Sequence, residues 1–77
     1  AMNILVLDYC CNSVDFAWRL SREQQGVRQV YLMSDWVCPE VWKSEHLSFI
    51  AETQVHAEIL QQVKNLDIHL VVNFNSL

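Results

Sequence analysis

Two adjacent thiols, Cys10 and Cys11, lie between an aliphatic run and a stretch with helical spacing. A helix N-terminus favours the thiolate, the nucleophilic form, so the pair has the placement of a reactive site. Free cysteine is also among the most buried residue types, and small apolar filler is the reading the pattern favours. The third cysteine, Cys38, has only His46, His56 and His69 as distant companions. No pair among them has a Cys-x-x-Cys or His-x-x-x-His spacing, and a zinc site needs four converging ligands. No metal site is expected. His69 alternates with strand residues and reads as a core or sheet-face histidine, whereas His56, beside Glu52 and Glu58, reads as solvated. Asp8 and Asp15 flank the thiols as a nominal acid–base pair. Carboxylates so spaced across a turn rarely converge, and Asp15 near a helix start is accounted for by the helix dipole. Trp36 and Trp42, with Val37 and Val41, read equally as a partner anchor or as a lid over a small core.

Composition narrows what these groups can do. The chain has 77 residues and a formal charge of −4, a balance that argues against a nucleic-acid partner or an anionic membrane surface. Its apolar fraction of 52% is too high for a disordered chain. The single glycine, Gly26, excludes the dinucleotide turn, the P-loop and the Gly-x-Ser-x-Gly nucleophile elbow together. No apolar run approaches the roughly 20 residues that span a bilayer. An odd cysteine count with two neighbours suits reduced thiols, so a cytoplasmic location is expected. Ala1 before Met2 reads as a tag remnant.

Positioning falls to an alternation of strands and helices. Asn3-Ile4-Leu5-Val6-Leu7 has the continuous apolar character of a strand covered on both faces. Asn12 or Ser13 then offers an N-cap oxygen, and Ala17, Trp18 and Ser21, flanked by Phe16 and Leu20, recur at helical spacing from Val14. Arg19, Arg22 and Glu23 fall on the opposite side. Gly26 sits where a helix end favours positive φ. Val27 to Met33 reads as a second strand and Leu47 to Ala51 as a third. Thr53 can cap a second helix with the stripe Val55, Ile59, Leu60 and Val63. Asp67 leads into a fourth strand, Ile68 to Val72. The order β-α-β-β-α-β predicts one small Rossmann-like α/β domain over residues 1–77, with a parallel four-strand sheet in spatial order 3-2-1-4. The first and fourth strands both read as fully apolar, and this order leaves the fourth at an edge of the sheet. With no closing helix after Val72, the chain reads as part of a longer protein.

The string Ile4-Leu5-Val6-Leu7, eight residues, then Ala17-Trp18-Arg19-Leu20 resembles the opening of the phosphoribosylamine–glycine ligases (glycinamide ribonucleotide synthetases). That family starts with I-L-V-L, the loop G-S-G-G-R-E-H-A and a helix containing A-W-K-L, in the same gap-free register. Val30-Tyr31-Leu32 is similar to the family's V-Y-V, and Ile68-His69-Leu70-Val71-Val72 to its I-D-L-V-V. The resemblance implies a pre-ATP-grasp N-terminal domain of an enzyme of purine biosynthesis. Such an enzyme joins glycine to phosphoribosylamine using ATP and magnesium held by its other domains.

In that family the glycine loop is understood to hold the substrate phosphate on backbone amides at a helix N-terminus. By position the loop here is Asp8, Tyr9, Cys10, Cys11, Asn12 and Ser13, continuing into Val14 and Asp15. Asn73-Phe74-Asn75-Ser76 stands near the family's G-P-E turn. None of the family's site residues is kept by identity, so no catalytic residue and no cofactor is assigned to this chain. The expected partners are the remaining domains of the parent chain and, for the isolated domain, a second copy paired along the fourth strand. The alternative function is a degenerate, non-catalytic structural or interaction module of the same fold.

Overall fold

Four of the six residues of strand β1 (Met2–Leu7) are buried, Asn3 through Val6, as a strand covered on both faces requires. The protein is represented by a computed structural model, which describes residues 1–7, 13–34, 44–51 and 61–74. After β1 come helix α1 (Val14–Glu23), β2 (Val27–Ser34), β3 (Leu47–Ala51) and β4 (Leu70–Asn73), with residues 61–64 helical ahead of β4. All pairings are parallel and the spatial order is β3-β2-β1-β4, as the alternation predicts.

Side-chain alternation along the strands divides the core. Ile4, Val6, Val30, Leu32 and Leu47 face α1, which buries Val14 and Ala17 against them. Leu5, Met33 and Ile50 face the opposite way and meet Val63, Leu66 and Ile68 from the segment before β4. The sheet is thus sandwiched, with Val6, Val30 and Leu32 wholly sealed from water. On α1 the buried positions Val14, Ala17 and Ser21 follow helical spacing, and Trp18 and Leu20 pack at the margin. The Ser21 hydroxyl donates to the Trp18 carbonyl at 2.7 Å, which satisfies it inside an otherwise apolar stripe.

Three local expectations are corrected. Ser13 occupies the N-cap position, but its backbone (φ −105°, ψ 4°) departs from the extended form that aims a cap oxygen at the helix amides, and no side-chain cap bond forms. Gly26 has φ +84°, yet α1 already ends at Glu23, so this glycine serves the turn into β2. There its carbonyl accepts the Met2 N–H at 2.6 Å. The fourth strand starts at Leu70 instead of Ile68. Asp67 adopts φ +54° at the end of a turn, and Ile68 and His69 lead irregularly from it to Leu70, where the register with β1 begins. β4 is an edge strand, as the expected order has it, with Leu70 44% and Val71 52% exposed. Thr53, Val55, Ile59 and Leu60 lie outside the described residues.

Candidate functional site

In an open α/β sheet, ligands bind beyond the carboxyl ends of the strands, where successive connections leave in opposite directions. With order β3-β2-β1-β4, that place is the crevice between β1 and β4. Leu7 ends β1 there, Ser13 starts α1, and Asn73 and Phe74 follow from β4. Of the loop singled out by position, Ser13 is described and fully buried, its carbonyl accepting the Ala17 N–H at 2.9 Å. Asp8, Tyr9, Cys10, Cys11 and Asn12 lie outside the described residues, as do Trp36, Cys38, Trp42 and His56.

What the structure brings together at this end is aromatic. The Phe74 N–H donates to the Leu7 carbonyl at 2.8 Å, extending the junction of β4 with β1. The Phe74 ring meets Phe16 from the first turn of α1, with centroids 5.3 Å apart and planes inclined at 59°. The sequence pattern carries no signal of this bridge, since Phe16 reads as a flank of the helical stripe and Phe74 as part of a polar tail. Asp15, in the same turn, forms an exposed ion pair with Arg19 at 3.2 Å. Its carboxylate is therefore engaged along its own helix, as an i,i+4 neighbour. Arg22 stacks its guanidinium over Trp18, 4.8 Å from the ring centroid.

Two surface hollows accompany these groups. One, of about 190 Å³, is lined by Phe16, Arg19, Leu20, Glu23 and Gln24 along α1. It falls short of the roughly 300–1,000 Å³ of small-molecule sites. The other, of about 320 Å³, lies among Ser21, Arg22, Ser44, Glu45 and His46, at the amino end of β3 and thus away from the switch crevice. Its histidine is committed to structure: Nδ1 lies 3.2 Å from the Arg28 carbonyl oxygen and Nε2 3.1 Å from Glu45 Oε1. The His46 carbonyl also accepts the Val30 N–H at 2.8 Å, which starts the β2–β3 pairing. Among the described residues no three of His, Cys, Asp and Glu gather as metal ligands would, and no helix is long and apolar enough to cross a membrane.

A second polar cluster closes the amino end of the β1–β4 junction. Asn3 is 5% exposed, and its Nδ2 donates to the carbonyls of Leu66 at 3.3 Å and Asp67 at 3.2 Å. The Asn3 N–H donates to Nδ1 of His69 at 2.9 Å, and the His69 N–H donates to the Asn3 carbonyl at 2.9 Å. His69, read from the sequence as a core or sheet-face histidine, is exposed and joins the segment before β4 to β1. The available signal was a lone amide residue at the head of an aliphatic strand. Comparison with known proteins gives no match to this chain from any family model, curated protein or solved structure.

Proposed function

We propose that the chain is the N-terminal domain of a phosphoribosylamine–glycine ligase-like protein, contributing position and packing to that protein but no catalytic group. The supporting observation is the seat of the Ala17-Trp18-Arg19-Leu20 string. Ala17, on the inner face of α1, is fully buried against the sheet of order β3-β2-β1-β4, and Trp18 packs at the margin of that core. The catalytic work, with ATP and magnesium, belongs on this reading to other domains. By sequence position Asp8, Tyr9, Cys10 and Cys11 replace residues of the resembled family's glycine loop, and Asp8 adds a negative charge. The test is ATP- and glycine-dependent consumption of phosphoribosylamine by the complete protein that carries this domain. Titration of the isolated domain with ATP and ribose 5-phosphate runs alongside it. The reading expects turnover by the complete protein, with no ATP binding and at most weak phosphate binding by the domain. A complete protein without an ATP-grasp domain, or without turnover, overturns it.

A second reading, an interaction module, is favoured by the flank of β4. Leu70, Val71 and Phe74 are all exposed on or beside an edge strand, with exposed Phe16 adjoining. Edge strands with bare apolar side chains pair readily with another chain. A two-fold pairing of β4 with a second copy is the simplest outcome for the isolated domain. Sedimentation at tens of micromolar reads it directly: a species of twice 9.0 kDa supports it, and a monomer alone refutes it.

A further inference from the structure

We propose that the hollow between the last turn of α1 and the start of β3 binds a small monovalent carboxylate that carries a hydroxyl group. The hollow has a volume of about 320 Å³ and is lined by Ser21, Arg22, Ser44, Glu45 and His46. It lies away from the switch crevice and plays no part in either function proposed above. Its volume is at the lower end for small-molecule sites, which fits a ligand of few heavy atoms. Both walls are fixed by contacts within the chain. On one side Arg22 stacks over Trp18, 4.8 Å from the ring centroid, and Ser21 is buried in the same turn. On the other, Leu47 is buried in the core that faces α1, which draws the residues before it toward the helix. The Ser44 carbonyl accepts the Leu47 N–H at 3.2 Å, and the His46 carbonyl accepts the Val30 N–H at 2.8 Å.

The hydrogen-bonding groups left over at this place define the ligand. A guanidinium carries several N–H donors in one plane. Among the described residues none of those of Arg22 meets an acceptor, and the group is held by the Trp18 ring. Such a group keeps its in-plane donors for a carboxylate, which it grips through two parallel hydrogen bonds. The Ser44 hydroxyl oxygen accepts the His46 N–H at 3.4 Å and keeps its own hydrogen to donate. Ser21 is the complement: its hydrogen goes to the Trp18 carbonyl at 2.7 Å, which leaves the oxygen as a neutral acceptor. A ligand hydroxyl matches it. His46 forms wall and not contact, because both ring nitrogens face the Arg28 carbonyl and the Glu45 carboxylate. Charge sets the last limit. Glu45 at the rim and the partial negative charge at the carboxyl end of α1 oppose the single guanidinium. A monovalent carboxylate is therefore favoured over phosphate, which is close to doubly charged at neutral pH.

The test is an NMR titration of the whole 77-residue chain with sodium lactate, at an ionic strength held constant with sodium chloride. The backbone amides of Ser21, Arg22, Ser44 and His46 and the Nε–H of Arg22 are expected to shift together. They should saturate in the millimolar range, as an open site for a few heavy atoms allows. Acetate, which lacks the hydroxyl, and inorganic phosphate should each bind about fivefold more weakly or worse. Arg22→Gln keeps part of the side-chain stem without the charged fork and should weaken lactate binding about tenfold or more. Arg22→Lys should weaken it nearly as much, since an ammonium does not grip a carboxylate at two points. Arg22 is exposed, and the amide spectra of both variants report directly on the fold. Saturable shifts at these residues that are lost in Arg22→Gln support the proposal. No saturable shift, acetate or phosphate binding as tightly as lactate, or unchanged lactate binding by Arg22→Gln overturns it.

Discussion

Phe16 and Phe74 join opposite ends of the chain at the carboxyl end of the sheet, their rings 5.3 Å apart and inclined at 59°. Tilted pairs of this kind place the positive edge of one ring toward the negative face of the other. The contact ties the first turn of α1 to the residue after β4, beside the crevice where a sheet of this order offers room for a ligand. A double-mutant cycle with Phe16→Ala and Phe74→Ala, read by urea unfolding, should give a coupling of about 0.5–1.5 kcal/mol. Additive effects would show that the rings act separately.

Asn3→Ala removes the two side-chain hydrogen bonds that hold the carbonyls of Leu66 and Asp67. Leaving partly buried groups without partners costs about 1–3 kcal/mol. Urea unfolding of the variant should show a loss in that range. A loss below a few tenths of a kcal/mol would mean that water substitutes for the amide.

At Gly26 the limit is conformational and not spatial. A Cβ added there meets nothing within 4 Å, but φ is +84°. Gly26→Ala should therefore cost about 1–2 kcal/mol through the backbone alone. Gly26→Asn should cost less, because asparagine tolerates this region better. Thermal unfolding of the two variants distinguishes them by their order.

The thiols of Cys10 and Cys11 are expected to serve as packing groups. A thiol reagent at neutral pH should label them slowly in the folded chain and fast once it is unfolded. Rapid labelling of the folded chain would instead mark an activated thiolate.

How far the sequence carried the fold can be judged strand by strand. Leu47 to Ala51 forms the third strand at the expected bounds, and β2 runs one residue further, to Ser34. Such strands are legible because β-branched and aromatic residues cluster in them. The start of β4 was less legible. Ile68 and His69 have strand-like side chains, but Asp67 takes a left-handed turn and His69 spends its ring on the Asn3 amide. That clasp links residues 66 positions apart, and no local pattern encodes such a pairing. The burial of α1 was readable because its spacing is local, whereas the exposure of Leu70 and Val71 depends on the whole sheet's arrangement. Of the loop read by position, Ser13 is placed, and its buried side chain gives no helix cap.

The parallel pairing of β1 with β4 also sets an order of events during synthesis. β1 can gain β2 on one side early, since only residues 8–26, α1 among them, separate Leu7 from Val27. Its other side must wait for Leu70 to Asn73, so the most apolar strand of the sheet keeps an open edge until those residues have left the ribosome. Pairings of such long separation form late, because the intervening chain must first be closed into a loop. The interval before β4 arrives is therefore when a nascent chain of this protein is most exposed to wrong strand partners, and when a chaperone holding β1 would have the greatest effect.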